Sequence, residues 1–135
     1  MTSIELENLA KIGKLKREPP TREEVSGLLD SADARLKDAQ VAALSYASRF
    51  DLAYNAAHAL ALVALRRAGF RAESRYLVSQ TLQHTVGLPA AEWRVLSKAH
   101  ERRNLAEYEG HLEQDDKLLV AVIDIAKRLR QRLEE

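Results

Sequence analysis

Apolar residues recur at helical spacing along almost the whole chain. After Thr21 the series Val25, Leu28, Leu29, Ala32, Leu36, Ala39 and Ala43 follows the three-and-four step of one buried helix face. Thr21-Arg22-Glu23-Glu24 stands before it as a capping box, a hydroxyl for a free amide with a carboxylate three residues on. The spacing predicts a helix reaching about Ala43–Tyr46, with Asp33, Arg35, Lys37 and Asp38 on the solvated side. Ser48-Arg49-Phe50-Asp51 reads as a second cap, opening a helix to Ala68 with Gly69 as its C-cap. This second helix is apolar nearly all round, so it is central in a bundle or covered by a partner subunit. A shorter helix is predicted over 75–85, ending at Gly87. Pro89, suited to a first helical turn, opens another that runs through Trp93 to Glu109 and stops at Gly110. Asp115 caps the last helix, whose inner face is Leu118, Leu119, Val122, Ile125, Ala126, Leu129 and Leu133.

Residues 2–18 read as a short, weakly amphipathic helix carrying Ile4, Leu6, Leu9, Ile12 and Leu15, weakened at Gly13 and stopped by Pro19-Pro20. Strand alternation is absent throughout. The expected fold is all-α: an up-and-down antiparallel four-helix bundle over 21–135. A short extra helix is inserted at one end, and 1–20 form a peripheral N-terminal arm.

Composition sharpens this picture. Only five Gly and three Pro occur in 135 residues, so little interrupts the helices, and the length suits one domain with a real core. The charged fraction of 30% against 46% hydrophobic fits a folded domain rather than a disordered chain. Without Cys there is no disulfide framework and no thiolate nucleophile. The lack of Cys and of a leader-like apolar start gives a cytoplasmic expectation. No apolar run is long enough to span a membrane, since His58 breaks the longest one. A net charge of +1 means that nucleic acid would have to be held by a local basic patch.

Candidate chemistry concentrates in two stripes. On the helical wheel of the 90–109 segment, His100, Glu107 and His111 share one narrow face, flanked by Arg103 and Asn104, with Tyr108 beyond Asn104. Val95, Ala99 and Ala106 mark a different, core-facing side. In the apolar helix, Asp51, Asn55 and His58 form a polar stripe, and buried polar groups need partners. Metal is not expected: no Glu has a His three residues later, no His-Glu-x-x-His occurs, and His100 and His111 lie three turns apart. No cofactor is expected either, because no Gly-rich phosphate loop is present. Arg103 and Glu107 form an ordinary i, i+4 pair, while the Arg102-Arg103 forks also suit phosphate oxygens.

The pattern Ser48-Arg49-Phe50-Asp51-Leu52-Ala53-Tyr54-Asn55-Ala56-Ala57-His58, followed by Arg103-Asn104-Leu105-Ala106-Glu107-Tyr108, resembles the HEPN (higher eukaryotes and prokaryotes nucleotide-binding) superfamily. The resemblance covers Thr21 to the end of the chain. It implies an up-and-down helical bundle that dimerises. It also implies either a metal-independent endoribonuclease, often a toxin paired with a nucleotidyltransferase antitoxin, or a module that only binds nucleotides. The family motif is Arg, a polar residue, three variable residues and His. Arg103 and Asn104 match its first two positions, and Tyr108 stands where the His belongs. A phenol is a poorer proton shuttle than an imidazole at neutral pH. His111, three residues on, is the nearest substitute.

Three readings follow. The first is a nucleotide- or RNA-binding module in which Arg103, Asn104 and Tyr108 form the core of a groove with Asp51, Asn55, His58, His100, Glu107 and His111. The second is a partner-docking or dimerising bundle. The third is a ribonuclease in which Arg103 stabilises the phosphorane and Tyr108 or His111 moves protons. The expected partners are a second copy, a nucleotide or RNA, and a nucleotidyltransferase antitoxin.

Overall fold

The computed structural model describes residues 3–134; residues 1, 2 and 135, including the first position of the predicted 2–18 helix, lie outside the described residues. The described chain is all-helical apart from one small ribbon: α1 (Ile4–Lys11), β1 (Leu15–Arg17), α2 (Arg22–Ala39), α3 (Tyr46–Arg67), β2 (Phe70–Ala72), α4 (Arg75–Thr85), α5 (Ala90–Glu109) and α6 (Asp116–Arg132).

Side chains that join helix ends fix the topology. Arg49 near the start of α3 donates to the Ala39 carbonyl at the end of α2, and Arg66 at the end of α3 donates to Glu24 at the start of α2. These two helices are therefore antiparallel. In α5 and α6, Arg102 approaches Asp115 and Glu92 approaches Arg128, which makes that pair antiparallel too. Tyr46 and Arg67, at opposite ends of α3, reach the carbonyls of Asp115 and Leu133, which flank α6. So α3 and α6 run parallel, as alternate members of an up-down-up-down bundle should.

The core sits on α3. Phe50, Leu60, Val63 and Leu65 are fully buried, and Ala53, Ala56, Ala57, Ala59, Ala61 and Ala64 let neighbouring helices approach its backbone closely. The inner face of α6 is buried as the periodicity requires, Leu118, Leu119, Val122, Ile125, Ala126, Leu129 and Leu133 included. Each of these Leu, Val and Ile side chains contributes about 1.5–3 kcal/mol on burial. In α5 the buried residues are Leu96, Ser97 and Ala99; Val95 and Ala106, expected on the core side, are only half-buried.

Three expectations are corrected. The predicted 2–18 helix stops at Lys11, because Gly13 takes a φ of 80° that side chains disfavour, and the chain continues as β1. That strand pairs antiparallel with β2, Leu15 opposite Ala72 and Arg17 opposite Phe70, so a short ribbon exists where no strand was expected. Leu6 and Leu15 are buried in the common core. Second, α2 ends at Ala39 rather than near Ala43–Tyr46; Arg49 and Gln40 occupy the carbonyls of Ala39 and Leu36 there. Third, the cap of α3 is Ser45, whose Oγ accepts from the Ser48 amide at 3.1 Å; Ser48 is the capped residue, not the cap.

Thr21 caps α2 as expected, but Glu24 does not fold back to close the box. Its carboxylate holds Arg66 and Arg71 instead, at 2.9 and 2.8 Å. Arg66 is 3% exposed, and its guanidinium also donates to the carbonyls of Glu18, Pro19 and Phe70. This one side chain ties the N-terminal segment, the ribbon and α2 to the end of α3. The α4 helix lies between α3 and α5 and packs on both, which brings its first turn to the polar stripes of those helices.

Candidate functional site at the α3–α5 seam

Antiparallel α3 and α5 bring the two sequence stripes face to face. Tyr54, one turn before His58 on α3, points its hydroxyl at His100 Nδ1 across the seam, 2.7 Å away. The other imidazole nitrogen, Nε2, receives the Asn104 amide at 3.1 Å from one turn along α5. In the neutral ring one of these nitrogens donates and the other accepts, according to the tautomer. Both nitrogens of His100 are thereby occupied. His58 stacks on Tyr54 with ring centres 6.1 Å apart and planes 16° from parallel. Tyr76, in the first turn of α4, approaches His100 at 6.1 Å and is 42% exposed.

Arg103 closes the outer side of this ring cluster. Its Cζ lies 5.3 Å from the centre of the Tyr54 ring, a cation–π contact. Its Nε donates to Asp51 at 3.1 Å, and Nη1 stands 3.5 Å from Glu107, a looser pair. Nη2 has no protein partner among the described residues. The guanidinium is thus held in place with one donor edge unused.

Electrostatics follow from this packing. Burial pushes the His58 imidazole down to about 4, helped by the positive charges of Arg75 and Arg103 and by His100. The same burial, with Arg75 and Arg103, lowers His100, and burial raises the Tyr54 phenol. At neutral pH His58, His100 and Tyr54 are therefore uncharged, and Arg75 and Arg103 supply the positive field around them.

A second feature lies further along α5. A groove of about 350 Å³ is bounded by Asp51, Arg103, Glu107 and His111, over a floor of Ala47, Phe50, Ala106 and Leu112. Gly110 ends α5 in the left-handed region, φ 69°, and this turn brings His111 and Leu112 back over the groove.

The nine candidate residues are therefore divided. His58, His100 and Asn104 belong to the ring cluster, Asp51, Glu107 and His111 to the groove, and Arg103 to both. Asn55 donates to the Asp51 carbonyl of its own helix at 2.8 Å and joins neither. Tyr108 is 90% exposed and lines neither. Sequence reasoning missed Tyr54, although it lies on the same α3 stripe, between Asp51 and His58. It also missed Arg75 and Tyr76, which only the placement of α4 brings here. Among the described residues no group of three or more His, Asp or Glu could hold a metal ion. No helix among them is long and apolar enough to cross a membrane. Neither a protein-family model, a curated protein nor a solved structure matches the chain.

Proposed function

We propose that this chain is a HEPN-like module that binds a nucleotide or RNA at the α3–α5 seam, with the phosphate at Arg103 and a base against the exposed ring of Tyr76. One observation carries the reading: a preorganised guanidinium with a free donor edge stands over a cluster of uncharged rings. Single-stranded nucleic acid is held by this combination, cations tracking the backbone and π-faces accepting bases. A phosphate oxygen would displace the looser Glu107 contact while the Asp51 bond keeps the fork oriented. The HEPN resemblance adds a homodimer and a toxin–antitoxin role beside a nucleotidyltransferase, and the Cys-free composition adds a cytoplasmic setting.

The test is thermal stabilisation by ATP and by a short single-stranded RNA. Wild-type protein is stabilised, and Arg103→Ala loses about 1.5–3 kcal/mol of binding, roughly ten- to a hundredfold in affinity. Tyr76→Ala weakens binding without changing its salt dependence, since it removes a ring and not a charge. Unchanged melting with every nucleotide and RNA tried would overturn the reading.

A second reading, a metal-independent ribonuclease, rests on His111 lining the same groove as Arg103. His100 has no nitrogen left for proton transfer, and Tyr108 stands clear of the groove. Nuclease activity in this reading is lost in both His111→Ala and Arg103→Ala and retained in Tyr108→Phe, measured on RNA in the presence of chelator.

A further inference from the structure

The first turn of α4 brings a second guanidinium to the seam. Arg75 precedes Tyr76, and its charge bears on Tyr54, His58 and His100. No carboxylate pairs with it among the described residues. None stands near it on its own helix, for Ser74 to Ala91 contains no Asp or Glu. Arg75 and the open edge of Arg103 are thus two cationic contacts on one patch of uncharged rings.

The cationic surface continues onto the ribbon. Leu15 pairs with Ala72, which carries Lys14, one residue before, to the level of Glu73, one residue after. Arg75 follows two positions later, so its backbone lies within about 12 Å of Lys14. Side chains alternate along a strand and Leu15 is buried, so Lys14 and Lys16 face outward. Lys16 takes up Glu73 at 3.3 Å, and Arg17 takes up Glu7. Lys11 and Lys14 have no carboxylate partner among the described residues. Lys11 also lines, with Lys16 and Arg17, a hollow of about 470 Å³ at the ribbon.

These cations form a line and not a cage. They run from α5 across the start of α4 to the turn between α1 and β1, and the exposed ring of Tyr76 lies beside the line. A polyphosphate folded at one point would leave the far lysines unused. A chain of phosphates would meet each cation in turn. We propose, resting on nucleotide binding at the seam, that the ligand is a single-stranded RNA whose backbone runs from Arg103 across Arg75 to Lys14 and Lys11. Cations that track a backbone past a ring that takes a base are the way single strands are held.

The test is titration of the full chain with ATP and with an adenosine RNA oligomer of about eight nucleotides, over a series of salt concentrations. The oligomer should bind at least about tenfold tighter than ATP, through its extra phosphate contacts. Each such contact adds about 0.7 to the slope of log affinity against log salt, so Lys11→Gln with Lys14→Gln should flatten the oligomer slope by about 1.4. Both lysines are exposed, so the fold is kept. Lys117→Gln with Lys127→Gln removes the same charge from α6, a helix that packs on neither α4 nor the ribbon, and should leave the slope as in wild type. ATP bound as tightly as the oligomer, an unchanged slope in the ribbon variant, or the same flattening in the α6 variant would each overturn the strand and leave nucleotide binding at the seam standing. A wild type that binds neither ligand would overturn the seam reading itself, and the strand with it.

Discussion

His58 should make the fold acid-sensitive by a calculable amount. Its imidazole is half-buried against Tyr54, with Arg75, His100 and Arg103 around it, and its pKa falls from 6.5 to about 4. Above the unfolded pKa the side chain is neutral in both states and contributes no pH dependence. As pH falls below 6.5 the unfolded chain takes up a proton that the folded one refuses, so stability is lost until the folded pKa is passed. The slope approaches about 1.4 kcal/mol per pH unit, and the whole loss is on the order of 3 kcal/mol. The perturbation is His58→Asn, which keeps a polar side chain and removes the titration. The assay is urea unfolding of both proteins from about pH 7.5 to about pH 4.5, where roughly 2–3 kcal/mol of the loss is already expressed. Carboxylates and His100 titrate in both proteins, so the difference between the two curves isolates His58. Wild type should lose stability faster on acidification, and the curves should converge. Parallel curves would refute the argument, because they would mean that His58 accepts a proton in the folded state as easily as in water.

Three further outcomes follow from the packing. Arg66→Met leaves three carbonyls without their donor and Glu24 with Arg71 alone, and should cost about 3 kcal/mol, roughly 10 °C in melting temperature, read by calorimetry. Gly110→Ala places a side chain at φ 69° and should destabilise by about 1 kcal/mol in urea, with space for the methyl but not for the backbone conformation. Tyr54→Phe removes the hydroxyl bonded to His100, costing about 1–2 kcal/mol of stability, yet keeps the ring under Arg103. Nucleotide affinity should therefore change far less in Tyr54→Phe than in Arg103→Ala by titration calorimetry.

What the sequence made legible was local. The α6 face, the Thr21 and Asp115 caps and the Gly110 stop depend on residues within four positions of one another, and all stand as their spacing predicts. What it hid was long-range. A three-residue strand carries too little alternation to register, and the partner of Leu15, Ala72, lies far along the chain from it. Arg66 belongs by sequence to a surface run with Arg67, Arg71 and Arg75. Its burial is decided by Glu18, Pro19 and Glu24, more than forty positions away.

The candidate site teaches the same lesson on one helix. A wheel gives angle but not height. His100 and Glu107 share a face and lie seven positions apart, about 10 Å along the axis at 1.5 Å per residue, while His111 lies past the Gly110 stop, where the wheel no longer holds. Over that distance the neighbour of α5 changes, from the first turn of α4 beside His100 to the returning Gly110–Leu112 turn beside Glu107 and His111. One stripe therefore serves two places with different chemistry, uncharged rings at one end and a carboxylate-rimmed apolar slot at the other. Arg103 is the hinge between them, bonded to Asp51 on the groove side and stacked on Tyr54 on the ring side. A substitution there disturbs both places at once, so Arg103→Ala alone cannot separate their roles. Tyr76→Ala and His111→Ala can: the first touches only the ring end and the second only the groove, so nucleotide affinity lost in Tyr76→Ala and kept in His111→Ala would assign the binding to the ring end, and the reverse result would assign it to the groove.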